Sequence, residues 1–269
     1  MGTRSSLINR RHDPPARAFL PALTDFHYRG RSTYLEDFLA QIDAPQLNSV
    51  WIEYFMQQTQ LDVRQFSQFI SRSENLKIDH FRRAEVAFYS EVIHFDLGGP
   101  QKGCHQAKFS LKIIDQERLD TQVPCVAHVL SQLVATFSKV DHLTADGDHV
   151  FSREMDITQG LPFFRLFPAV VALHLSGGVG AYIASALEDT ADPEETVGVP
   201  DVSPALHLIW LDERNDYDSE PENGHYDEPV GSTEGFLSLR RLSGRPVTVV
   251  DTQEKFDKAY RKFLMPSVP

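Results

Sequence analysis

Apolar residues recur along this chain at a fixed offset from a proline. Counting forward from Pro21, positions two, five and seven are Leu23, Phe26 and Tyr28. From Pro45 they are Leu47, Val50 and Ile52, from Pro168 Val170, Leu173 and Leu175, and from Pro204 Leu206, Ile209 and Leu211. Two segments fit without the proline: Phe81, Ala84, Val86 and Val140, Leu143, Ala145. In a strand, side chains alternate between faces, so the last two positions of each set share one face. The first turns inward just before the strand begins.

Between these segments the period changes from two to that of a helix. Leu35, Phe38, Leu39 and Ile42 fall on one helical face behind a capping box from Thr33 to Glu36. Val63, Phe66, Phe69 and Ile70 form a second stripe. Val126, Val129, Leu130, Leu133, Val134 and Phe137 form a third, and Phe256, Ala259, Tyr260, Phe263 and Leu264 a fourth. Strand and helix in alternation predict a parallel sheet covered by helices.

The spacing L-x-x-L-x-L is that of the strand part of a leucine-rich repeat. The expected fold is therefore α/β: an irregular leucine-rich-repeat-like solenoid, with a curved parallel sheet covered by helices on one side. Its period is loose, 24 residues from Pro21 to Pro45 and 36 from Pro168 to Pro204. The stretch from Ala84 to Ile114 fits worst. It alternates like two or three strands around Gly98-Gly99-Pro100, which predicts a hairpin interrupting the repeat. The expected organisation is a flexible basic arm over 1–18, one domain over 19–264 with an acidic loop at 212–232, and a tail over 265–269.

Composition narrows the function. Of 269 residues, 41% are hydrophobic and 24% charged, ordinary values for a globular chain. No apolar run has the roughly 18–20 residues of a membrane helix, and the basic, proline-containing start has no apolar core of a secretory signal. It opens Met-Gly-x-x-x-Ser, the minimal myristoylation pattern. The net charge of −12 opposes a nucleic-acid partner. Asp212 to Glu228 holds eight acids and one arginine, so −7 of that −12, and reads as a solvated loop. Only Cys104 and Cys125 occur, which excludes a disulfide framework and a paired-cysteine metal site. Together with the absence of an Asn-x-Ser/Thr acceptor, this points to an intracellular protein, cytoplasmic or nuclear, with neither nucleic acid nor membrane as partner.

Candidate chemistry is sparse. Asp141, His142, Asp146, Asp148 and His149 are the densest set of potential metal ligands, but their spacing matches no metal motif, and Asp146-Gly147-Asp148 reads as a turn. Leu97 to Gly103 has glycines and a lysine without the phosphate-loop pattern, and strand-like alternation follows it instead of a helix. His174 to Tyr182 places glycines between a strand and a helix but lacks the dinucleotide fingerprint. Adjacent Cys104 and His105 would point to opposite faces of a strand, a poor nucleophile and base. Neither catalytic residues nor a cofactor or resident metal are expected.

One row stands out. The residue between the two inward strand positions faces the other side of the sheet: His27, Trp51, Glu85, Thr144, His174 and Trp210. Both tryptophans of the protein lie on it. Tryptophan is the residue type most enriched at binding hot spots. Two readings stand: a protein-binding surface, or a face that the chain itself covers, by the basic arm or the acidic loop.

The stretches from Leu20 to Phe55, from Leu61 to Leu76 and from Phe236 to Val250 resemble the C-terminal region of a large family of basidiomycete fungal F-box proteins. The resemblance implies a substrate-recognition domain that in full form delivers targets to a ubiquitin ligase. The F-box, which recruits the Skp adaptor, would lie upstream. Only about twenty mostly polar residues precede the resemblance here, too few for that motif. The chain is accordingly expected to be a fragment, or a paralogue without the ligase connection, and Skp a partner only with an upstream F-box. A free-standing repeat scaffold is the alternative. A metal-dependent enzyme using Asp141 to His149 is the third reading.

Overall fold

The computed structural model describes residues 17–55, 63–73, 75–76, 81–89, 91–98, 109–114, 119–133, 137–147, 161–177, 205–212, 237–238, 240–241, 244–250 and 253–264. The elements in chain order are β1 (Ala18–Phe19), β2 (Asp25–Gly30), α1 (Ser32–Leu39), β3 (Ile42–Asp43), β4 (Ser49–Phe55) and α2 (Arg64–Arg72). Then come β5 (Arg83–Tyr89), β6 (Val92–Gly98), β7 (Phe109–Ile114), α3 (Leu119–Ser131) and β8 (His142–Gly147). The chain continues with α4 (Leu161–Phe164), β9 (Ala172–Ser176), β10 (Leu208–Asp212), β11 (Thr248–Val250) and a last helix, α5 (Gln253–Leu264).

Nine strands form one sheet in the order β11-β10-β9-β8-β5-β6-β7-β4-β2. Strand β6 pairs antiparallel with both β5 and β7, and every other pairing in the sheet is parallel. The expected leucine-rich-repeat-like solenoid with a curved parallel sheet is therefore corrected: this is a mixed sheet of nine strands. A solenoid would seat β5 beside β4. Instead β7 takes that edge of β4, and the meander β5-β6-β7 sits in the middle of the sheet. The reason is that the inward-turning pattern fixes which face each side chain takes, but not which strand lies next to which. The alternation in Ala84 to Ile114 did mark a hairpin, and its consequence is a reversed strand at the sheet's centre.

The face assignment from the spacing is physically sound within that altered topology. Of the eighteen template positions, all except Leu23, Tyr28 and Leu211 are buried, and those three pack on the same core. Register follows the template as well: Phe26 pairs with Val50, Ala84 with Leu143, Leu143 with Leu173, and Leu173 with Ile209. Helices α1 to α4 contribute to this core. Phe69 of α2 meets Phe26 edge-on at 5.6 Å, Phe66 stacks on Phe109 at 5.8 Å, and Phe163 of α4 meets Phe88 at 6.4 Å.

Two local expectations are corrected. The Thr33–Glu36 capping box does not form, because α1 begins at Ser32 with no side-chain cap on its first turn. Glu36 instead reaches the next helix, its carboxylate accepting from the backbone N–H of Gln65 (2.6 Å) and Phe66 (3.0 Å) at the start of α2. A carboxylate there satisfies orphan donors and complements the helix dipole. Ile42 leaves the helical stripe and enters β3, which pairs with β1. The expected arm over 1–18 is corrected at its end, where Ala18 opens β1 opposite Ile42 and Arg17 donates to the Ala40 carbonyl (3.1 Å); residues 1–16, the acidic segment beyond Asp212, and Gly99 to Gly103 with Cys104 and His105 lie outside the described residues.

The helices do not all lie on one side, a further correction. Helix α5 packs on the opposite face, where Phe256 and Tyr260 form a separate cluster with Ala172, Leu208 and Trp210.

Candidate functional site

The row expected from spacing exists as a line of direct cross-strand neighbours. His27 pairs with Trp51, Glu85 with Thr144, Thr144 with His174, and His174 with Trp210. The central hairpin completes it. Trp51 pairs with Ser110, Ser110 with Asp96, and Asp96 with Glu85. Ser110 and Asp96 escaped the spacing argument because β6 and β7 carry no proline-anchored template. Strict alternation in Val92 to Gly98 and Phe109 to Ile114 was the signal that could have found them.

The two tryptophans have opposite fates. Trp210 is 6% exposed and Trp51 46% exposed. Trp210 is covered by the chain itself, as one reading allowed, and among the described residues the cover is α5. His174 lies flat on Trp210 at 3.6 Å between ring centroids. Phe256 closes over both, 5.5 Å from Trp210 and 6.3 Å from His174. Next along the face, the His142 ring is wedged against Phe256 (5.2 Å) and Tyr260 (5.0 Å). The Tyr260 hydroxyl donates to Asp141 Oδ1 (2.7 Å), and the Arg83 guanidinium sits 5.9 Å above the Tyr260 ring. Burial, reinforced by Arg83 and His174, pushes His142 down to about 3, so the ring is neutral. Burial and the bond to Asp141 raise the Tyr260 hydroxyl above its ordinary range.

The other half of the face spans β5, β6, β7, β4 and β2, and no described helix packs over it. His27 meets Trp51 edge-on at 5.3 Å. Nearer the strand ends, Glu53 pairs with Arg29 (3.2 Å) and Lys112 (3.7 Å), and the Arg29 guanidinium lies 5.3 Å over the Phe55 ring. Tyr89 meets His94 edge-on at 5.7 Å. Burial, then Lys112, lowers the His94 pKa. At the opposite end, Asp25 accepts from Ser49 Oγ (2.5 Å) and Thr24 Oγ1 (2.7 Å), and these bonds hold its carboxyl below the usual carboxylate range. Glu85 is exposed, and Thr144 is half-buried between the two halves.

The candidate ligand set does not converge. Asp141, just before β8, is held by Tyr260 and by Arg82 (3.4 Å). His142 is under α5, and Asp146 accepts from the Ser176 hydroxyl. Asp146 and Gly147 continue β8 as partners of Ala87 and Phe88, which corrects their reading as a turn. Asp148 and His149 lie outside the described residues. Among the described residues no three His, Cys, Asp or Glu side chains are grouped to hold a metal ion. What this face offers a ligand is aromatic area, imidazoles and fixed charge pairs.

No protein-family model matches the chain, and no solved structure matches it. A stretch of 135 residues is 26% identical to ATP synthase subunit delta of Rhizobium johnstonii, a match spanning 47% of this chain and 71% of that protein.

Proposed function

We propose that this chain is a protein-recognition domain without a catalytic role, working as the substrate-selecting part of an F-box-type ubiquitin-ligase receptor. The observation that carries the recognition reading is Trp51: a large aromatic ring in a line of strand neighbours, 46% exposed, while its counterpart Trp210 is buried. An uncovered tryptophan on a rigid sheet is an anchor of low entropic cost for a partner. The net charge of −12 favours a protein over a nucleic acid. No helix among the described residues is long and apolar enough to cross a membrane, and an intracellular site of action is part of the proposal. The ligase connection rests on the resemblance in the Leu20–Phe55, Leu61–Leu76 and Phe236–Val250 stretches.

The test is affinity capture of the tagged chain from its own cells, read by mass spectrometry, with wild type and Trp51→Ala in parallel. Partners that disappear with Trp51→Ala, together with Skp and cullin subunits, support the whole reading. Trp51-dependent partners without ligase subunits leave a free-standing scaffold and end the ubiquitin role. Partners retained by Trp51→Ala end the recognition surface.

A further inference from the structure

Strands β8, β9 and β10 carry different chemistry on their two faces. Inward positions are apolar: Leu143, Ala145, Leu173, Leu175 and Ile209 belong to the main core. Outward positions put His142, Thr144, His174 and Trp210 beside Ala172 and Leu208. Helix α5 lies over that outward face, in a cluster of its own among the described residues. A face buried for good is built from apolar side chains, because each polar group taken from water needs a partner. Here two polar atoms are without one. Trp210 Nε1, in a residue 6% exposed, and His142 Nδ1 make no hydrogen bond among the described residues. Lifting α5 would hydrate both, so the closed state carries a cost that the open state does not.

The covered pair also repeats an uncovered one. His174 and Trp210 are direct neighbours on adjacent parallel strands, as His27 and Trp51 are at the other end of the sheet. One line of cross-strand neighbours joins the two pairs through Ser110, Asp96, Glu85 and Thr144. Trp51 is exposed, whereas Trp210 is roofed by Phe256 at 5.5 Å. The roof is part of the same chain, and that tether keeps its local concentration high with few contacts.

We propose that α5 is an autoinhibitory cover: it occupies in cis the β9–β10 part of the recognition row, and its release joins His174 and Trp210 to His27 and Trp51 in one continuous binding face. The proposal rests on the reading of this face as a recognition surface and adds how the chain regulates it. A partner that takes the whole row displaces α5, so Trp210 passes from one cover to another.

The full chain carrying Phe256→Ala, Tyr260→Ala and Trp51→Phe leaves Trp210 as the sole tryptophan reporter. Compared with Trp51→Phe alone, its emission shifts to the red while the amides of β4 to β8 keep their exchange protection. A peptide of residues 253–264, blocked at both ends, returns the emission to the blue with a Kd of roughly 1 mM, since a free helix of this length must be ordered on binding. The same peptide with Phe256→Ser and Tyr260→Ser does not. With Trp51 in place, Phe256→Ala plus Tyr260→Ala captures Trp51-dependent partners from cells in several-fold greater yield, and adding Trp210→Ala removes the gain. Emission that stays blue, protection lost across the sheet, a peptide without effect or an equal effect of the serine peptide overturns the proposal. If Trp51 is needed for capture but releasing α5 adds nothing, the recognition surface stands and the cover falls. If Trp51→Ala keeps every partner, the surface itself falls and the cover with it.

Discussion

His174 lies against Trp210 with the two rings 6° from parallel, and both are roofed by Phe256. The roof belongs to a cluster separate from the main core, so α5 is held by its own small set of contacts. Elements held in this way open locally before the whole domain does.

Phe256→Ala is expected to release α5 without unfolding the sheet. Truncating a buried phenylalanine costs about 3–5 kcal/mol, comparable to everything that one short helix gains by docking. In a Trp51→Phe background, Trp210 emission should shift to the red and the α5 amides should lose exchange protection. The amides of β4 to β8 should keep theirs.

Acid should loosen the same end. His142 in the folded protein takes up a proton only at about 3, whereas in an opened state it does so near 6.5. Between those values the opened state binds more protons, so the stability that neutral His142 contributes is present above about 6.5 and is withdrawn as pH falls towards 3. The slope for one such group is at most about 1.4 kcal/mol per pH unit. Arg83 and His174 face the ring and add to the penalty on its charged form. Trp210 emission followed from neutral pH downward should report the release, and His142→Phe should flatten the profile.

Glu36→Ala should destabilise the β2–β4 end by about 1–2 kcal/mol, since it leaves the first N–H groups of α2 without their carboxylate. Glu36→Gln should recover part of that, because an amide oxygen still accepts. Chemical denaturation of the three proteins measures the difference.

Gly177→Ala should be costlier than its surface position suggests. Gly177 follows β9 with φ of +63°, and an added Cβ would collide with the Gly147 carbonyl at the end of β8. The left-handed backbone alone costs a non-glycine residue about 1–2 kcal/mol, and the clash adds to it. A lowered denaturation midpoint is the expected result.

The apolar spacing made the inward positions of six strands legible, and with them the row from His27 to Trp210. It did so because alternation is a local property of a strand. Strand order is not local: β7 replaces β5 beside β4 through pairings between segments far apart in sequence, and the repeat template contains no term for that. The stripe in Phe256 to Tyr260 announced an amphipathic helix, but a stripe does not say which face of a sheet it will meet. Glu36 illustrates the same limit, for a carboxylate three residues after a threonine fits a capping box while its actual donors lie in the following helix. Asp141 and His142 looked like ligands in sequence because the aromatic residues that separate them are more than a hundred positions away.

The most direct test of the account is the solvent exposure of Trp51 in the complex isolated from cells, read by pulsed oxidative labelling of the free and the bound chain. The recognition surface predicts that Trp51 oxidation falls several-fold in the complex while Trp210, already under α5, changes little. Equal oxidation of Trp51 in the free and bound chain would contradict it.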